Sequence, residues 1–174
     1  MSRIGSSTLS SSRSLLLLLL TLAGCGFSPL YGGGGATAGA LDTVEIANIP
    51  ERTGQLLRQS LQTDFYAAGA PVAQRYVLNV TYAVSQADIG VQADTATTRA
   101  RSTATATWSL APVGEPTHQL ASGQVVDEDA SNIVANQLFA FTLESDAVND
   151  ELSSRVAADI TAQVAAYFHA HPAA

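Results

Sequence analysis

Hydrophobic residues fall into a few periodic runs along this chain, and their spacing predicts most of its architecture. Between Leu41 and Ile49, Val44 and Ile46 alternate with polar neighbours and stop at Pro50, the pattern of a first strand. From Thr53 the period lengthens. Leu57, Leu61 and Phe65 recur every fourth residue and Gly69-Ala70-Pro71 supplies the stop, which predicts an amphipathic helix of about four turns. Arg75 to Val84 alternates again, with Tyr76, Leu78, Val80, Tyr82 and Val84 on one face and Val77, Asn79, Thr81 and Ala83 on the other. Asp88 to Asp94 reads as a turn centred on Gly90.

A third strand is expected from about Ala96 to Leu110. Its odd face carries Thr97, Arg99, Arg101, Thr103, Thr105, Thr107 and Ser109 and suits solvent or a partner. Its even face, Thr98, Ala100, Ser102, Ala104, Ala106, Trp108 and Leu110, is mostly small and suits close packing under helices. Pro112 to Pro116 makes the next turn, and Thr117 to Glu128 reads as a fourth strand interrupted by Gly123. After an irregular stretch around Ala130 to Phe141, a last helix is expected from Ser145 to Phe168. Val148, Leu152, Val156, Ile160, Val164 and Tyr167 trace its buried stripe, with Ser145 as N-cap and Asp146 in the first turn. The order β-α-β-β-β-α predicts an α+β two-layer sandwich: a mostly antiparallel four-stranded sheet with two helices packed on one face.

The N-terminus follows another pattern. Arg3 and Arg13 precede an apolar block, Leu15 to Leu20, and Leu22, Ala23 and Gly24 lie just before Cys25. A basic region, a short apolar region and small residues at a cleavage site make a secretory signal peptide. The block is about half a bilayer-spanning length, and no apolar run reaches 18 residues. Leu22-Ala23-Gly24-Cys25 resembles the lipobox of bacterial lipoproteins. That resemblance implies that residues 1–24 are removed and that Cys25 carries diacylglycerol through a thioether and an acyl group on its new amino terminus. Several acyl chains, at about 0.8 kcal/mol per buried methylene, would hold such a protein at a membrane. Gly26, with no aspartate after the cysteine, points by resemblance to enterobacterial sorting rules to the periplasmic face of the outer membrane. The alternative is an ordinary signal peptide in which Cys25 is incidental.

The string Cys25-Gly26-Phe27-Ser28-Pro29-Leu30-Tyr31-Gly32 closely resembles the start of mature LPS-assembly lipoproteins of the alphaproteobacterial LptE type. These form the small subunit of the outer-membrane lipopolysaccharide translocon. The similarity extends loosely over residues 22–168, through Gly54-Gln55-Leu56-Leu57-Arg58 in the first helix and Asp146-Ala147 in the second. It departs at Ser131 to Phe139, which lacks the tyrosine-asparagine pair common there. Phe27, Leu30 and Tyr31 are large apolar groups, each worth about 1.5–3 kcal/mol when buried, so they pack on the domain, a membrane surface or a partner. Gly32 to Gly35 and the small residues up to Ala40 read as a flexible tether, with the domain over residues 41–174.

Composition narrows the function classes. The chain has 174 residues, 15 acids and 8 basic residues, for a net charge of −7, and one cysteine. All the basic residues are arginines, and removing residues 1–24 removes two of them and no acid, which leaves a formal −9. Nucleic-acid binding by counterion release is not expected of such a chain. One cysteine closes no intramolecular disulfide and supplies no Cys-rich zinc site. Neither a Gly-x-Ser-x-Gly elbow, a phosphate loop nor His-Glu-x-x-His occurs, so no enzyme is expected and a lipid-anchored hydrolase is remote. His118 opens a strand, while His169 and His171 sit near the C-terminus without a third metal ligand. Asp127-Glu128-Asp129 reads as a solvated strand end rather than a calcium loop.

Recognition is the remaining class. Arg99 and Arg101 share a strand face, and their guanidinium forks, with neighbouring threonine hydroxyls, suit the phosphate or sugar oxygens of lipopolysaccharide. They equally suit protection of a sheet edge. The family resemblance implies a non-enzymatic, lipid-anchored partner of a large LptD-type β-barrel, which it plugs and helps to assemble while assisting lipopolysaccharide insertion. Beyond the acyl groups on Cys25, no cofactor is implied. The competing expectation is a lipid-anchored periplasmic accessory of another envelope transport or peptidoglycan system.

Overall fold

In the computed structural model, which describes residues 36–67, 69, 73–91, 97–132 and 138–172, three long strands carry the sheet and one long helix spans it. The elements are α1 (Ala36–Leu41), β1 (Val44–Ile46), α2 (Arg52–Phe65), β2 (Tyr76–Val91), β3 (Thr97–Pro112), β4 (Ala121–Asn132) and α3 (Leu138–Ala170). The sheet order is β1-β2-β3-β4. β2/β3 and β3/β4 are antiparallel, whereas β1 runs parallel to β2, Val44 opposite Tyr76. A parallel pair needs a crossover, and α2 supplies it. The expected α+β sandwich is therefore present with a mixed sheet.

α2 and α3 lie on one face of the sheet, where the alternating and four-residue patterns converge. α2 buries Gly54, Leu57, Leu61 and Phe65. α3 buries Leu152, Val156, Ile160 and Val164, with Ser153, Ala157, Thr161 and Ala165 one position on. Beneath them lie Tyr76, Leu78, Val80 and Tyr82 of β2 and the even residues of β3. Ala100, Ala104 and Ala106 are fully buried, and their small side chains let the helix layer approach the sheet closely. A 33-residue helix is roughly 50 Å long, close to the roughly 53 Å of a 16-residue strand, so α3 matches β2 and β3 in length.

Three hydrogen bonds tie polar side chains inside this layer. Tyr66 Oη donates to Val44 O at 2.8 Å, tying the end of α2 to β1. Thr161 Oγ1 donates to Ala157 O at 2.7 Å. Trp108 Nε1 donates to Gln163 Oε1 at 3.0 Å, joining β3 to α3. Glycine makes two of these approaches possible. A Cβ on Gly54 would lie 2.7 Å from Ile49 Cγ2, and one on Gly123 would lie 2.8 Å from Trp108 Nε1.

Several boundaries differ from those read in sequence. β4 runs from Ala121 to Asn132, not from Thr117 to Glu128. Thr117 to Leu120 stay outside it because hydrogen bonds from Glu115 N to Pro112 O and from His118 N to Glu115 O curl the preceding chain. Gly123 does not interrupt the strand; it pairs with Trp108, whose indole covers it. β2 continues through Asp88 to Val91, and shifts in register around Gly90 mark a bulge where a turn was expected.

α3 begins at Leu138, so Ser145 is not its N-cap and Asp146 is not in its first turn. Nothing between Leu138 and Leu143 breaks a helix, and an interior serine costs only about 0.5 kcal/mol relative to alanine. At the far end Phe168, against Tyr76 at 5.2 Å between ring centroids, takes the buried position expected of Tyr167, which is half-buried. α1 occupies the end of the glycine-rich stretch, packs on α3 and delivers Leu41 to the core.

Gly123→Ala is expected to destabilise the domain by about 1–3 kcal/mol, because the added methyl must displace the Trp108 indole from a packed interface. Denaturant unfolding followed by Trp108 fluorescence measures it, and the folded-state emission of the variant should shift with the indole.

Candidate functional site

Alternation in β2, β3 and β4 sends half of each strand's side chains away from the helices, and on that side no described element covers the sheet. The register assembles rows across it: Asn79, Ser109 and Ser122; Thr81, Thr107 and Gln124; Ala83, Thr105 and Val126. The result is a face of short hydroxyl, amide and methyl groups. Residues 48, 79, 81, 107, 109 and 119 border a shallow, open depression of about 470 Å³ near the end of β1.

Arg99 and Arg101 extend this face toward the β2–β3 connection, and both are exposed. Arg101 is not alone there. Its Nε lies 3.7 Å from Glu128 Oε2, with both side chains about half exposed (51% and 52%). Thr103 Oγ1 donates to Glu128 Oε1 at 3.4 Å. A carboxylate thus competes for the cation that sequence reading offered to an anionic ligand. In an exposed pair the attraction amounts to about 0–1 kcal/mol, which a multiply charged phosphate can displace. The register between β3 and β4, which brings Glu128 beside Arg101, is not deducible from spacing within either strand.

Arg155 is the charged side chain beside the sheet that spacing alone does not reveal. From α3 it reaches the covered side of β4, with Nε 3.2 Å from Asp127 Oδ2, Nη2 3.0 Å from Asp129 Oδ2, and Nε 3.6 Å from Glu151 Oε1. The cluster Asp127-Glu128-Asp129 is therefore split by the pleat. Its two aspartates turn toward the helix and Glu128 turns to the open face. Alternation alone carried that signal; the arginine that answers it lies 26 residues away from Asp129.

Among the described residues the other ionisable groups lie apart from one another or in pairs. His118 Nδ1 lies 3.2 Å from Glu115 Oε2 in an exposed turn, not at a strand start, and the His171 ring stacks on Tyr167 at 4.5 Å. Among the described residues no three histidine, cysteine or acidic side chains group as a metal site. Burial raises the Tyr82 hydroxyl above the usual tyrosine range, partly offset by its contact with Ser153 Oγ at 3.5 Å. A groove of about 360 Å³ between α2 and α3 is lined by Thr63, Asp64, Ala67, Ala158 and Thr161, and burial raises the Asp64 carboxyl. No described helix is long and apolar enough to cross a membrane. Leu22, Ala23, Gly24, Cys25, Phe27, Leu30 and Tyr31 lie outside the described residues.

Comparison with known proteins finds the same fold elsewhere. A candidate lipoprotein from Caulobacter crescentus superposes with a TM-score of 0.61 at 18% identity, covering 79% of this chain and 98% of that one. Rare lipoprotein B from Shewanella oneidensis gives 0.54 at 12% identity, over 74% and 96%. A minor lipoprotein from Acinetobacter baumannii gives 0.57 at 14%, over 71% and 91%. No family model and no curated protein matches the sequence. At these identities the likeness is one of fold.

The two arginine settings should separate by stability. Arg101→Ala is expected to change the unfolding free energy by less than about 0.5 kcal/mol. Arg155→Ala is expected to cost about 1–2 kcal/mol, because it leaves two partly covered aspartates facing each other without their cation. Paired denaturant titrations at neutral pH provide the comparison.

Proposed function

We propose that this chain is a non-enzymatic lipoprotein of the outer membrane, anchored through acyl groups on Cys25 at the periplasmic face. In this reading it plugs and helps to assemble a β-barrel lipopolysaccharide translocon and assists lipopolysaccharide insertion into the outer leaflet. The observation that carries the reading is the sheet face that no described element covers: a long, hydroxyl-rich surface whose rows from Asn79 to Val126 carry no charge, on an otherwise acidic domain. Wide membrane barrels have polar interiors, and such a face can rest against one through hydrogen bonds without burying unpaired charge. The string Leu22-Ala23-Gly24-Cys25 and its continuation to Gly32 support the anchor and the family. The shared fold with chains described as lipoproteins supports the domain's place in the envelope.

Within this reading the lipid is the tether, the sheet face is the contact with the barrel wall, and Arg99 and Arg101 meet phosphate on the passing glycolipid. An arginine fork binds phosphate through paired charge-assisted bonds, and threonine hydroxyls beside it bind the remaining oxygens. Glu128 holds Arg101 when no anion is present. No bond is made or broken.

Affinity isolation of the chain from detergent-solubilised outer membranes is expected to bring down a large β-barrel protein and lipopolysaccharide together, with Cys25 carrying its lipid in mass spectra. Arg99→Ala combined with Arg101→Ala should lower lipopolysaccharide retention by about tenfold or more, the loss of roughly 1.4 kcal/mol or above, while the barrel remains bound. Recovery of the lipoprotein without any barrel would reject the assignment.

A further inference from the structure

β4 closes the sheet order, so one of its edges faces no other described strand. The direction of its backbone groups follows from the ladder. Val113 N donates to Arg75 O, which turns the odd residues of β3 toward β2 and the even ones toward β4. The β3–β4 register runs without a shift from Leu110 opposite Ala121 to Arg99 opposite Asn132. Odd residues of β4 therefore answer β3. Ser122, Gln124, Val126, Glu128 and Ala130 direct their N–H and C=O groups out of the sheet.

Two of those outward donors are already taken, by side chains of the same strand. Glu128 N donates to Asp127 Oδ1 at 2.8 Å and Ala130 N donates to Asp129 Oδ1 at 2.7 Å. The other oxygen of each carboxylate is held by Arg155, at 3.2 Å for Asp127 Oδ2 and 3.0 Å for Asp129 Oδ2. Each aspartate thus spans from an edge amide to a guanidinium fixed on α3. Without that cation, two carboxylates flanked by Glu128 and Glu151 would repel one another and leave the cap.

We infer that Asp127, Asp129 and Arg155 form a lock that closes the free edge of β4 to strand addition by a second copy of this chain. An exposed edge offers a template for pairing, and two identical edges pair antiparallel about a two-fold axis. The outward residues are symmetric about Val126, which is 57% exposed, so a two-fold there would set Ser122 and Gln124 of each copy against Ala130 and Glu128 of the other. The lock occupies both of those donors in each copy. Four of the ten ladder hydrogen bonds across that two-fold are thereby withdrawn, and the Ser122 and Gln124 carbonyls of both copies would be buried without a donor. This inference concerns the edge alone and stands apart from the role proposed for the open face.

Residue-resolved amide exchange on the full chain in detergent micelles tests the lock directly. Among the edge-facing amides, Glu128 and Ala130 should exchange about tenfold more slowly than Gln124 and Val126, a difference of one hydrogen bond. Asp127→Ala with Asp129→Ala should abolish that difference, leave Val125 protected, and produce a concentration-dependent dimer in analytical ultracentrifugation. Arg155→Met should move both readouts the same way by a smaller amount, and adding Val126→Lys to the double variant should restore the monomer. Equal exchange at all four amides of the unaltered protein overturns the inference, whether or not the double variant folds. A folded double variant that stays monomeric overturns it as well.

Discussion

The structure depends on how closely one long helix can lie on one face of the sheet. Ala100, Ala104 and Ala106 put almost no side-chain volume between β3 and the helix layer, and Gly123 leaves room for the Trp108 indole beside them. α3 answers with a two-residue-wide stripe whose second row is Ser153, Ala157, Thr161 and Ala165. Small residues on both sides make the approach close, and close approach makes any added methylene costly. Trp108 bridges the two layers through Gln163. β1 and α2 complete the covered side by contributing Val44, Ile46, Leu57, Leu61 and Phe65.

Among the described residues the helices pack on one side of the sheet, and that asymmetry gives its two faces different chemistry. The same alternation that puts alanine and tryptophan inside puts threonine, serine and arginine outside. Acidic residues concentrate on α3 and at the end of β4, while the open face between Asn79 and Thr107 is free of charge. The described domain therefore presents two chemically different sides. One is an acidic helical layer. The other is a hydroxyl-rich sheet with a cationic end, moderated by Glu128.

Sequence periodicity reached the inner faces of β2 and β3, the stripe of α2 and most of that of α3, because burial against a single partner layer enforces strict alternation or four-residue spacing. It failed where no such enforcement acts. The first turns of α3 carry Leu138, Phe139, Phe141 and Leu143 without a single apolar stripe, so periodicity marks the helix start seven residues late. β4 was shifted because its last residues, Asp127 to Asn132, are polar on both faces and are held by Arg155 and by the ladder rather than by apolar burial. Of the site residues, Arg99 and Arg101 were legible as a pair on one face. Their neighbour Glu128 and the Arg155 cluster were not, since strand register and helix placement bring them together across long separations in sequence.

In the proposed assembly the open sheet face, and not the helical layer, meets the partner. Photo-crosslinking from the lipid-anchored protein in intact outer membranes addresses it most directly, with the probe placed at Thr107 on the sheet face or at Ala158 on the exposed side of α3. Adducts to a large β-barrel protein are expected from Thr107 in excess of those from Ala158. Adducts arising from Ala158 alone would contradict it.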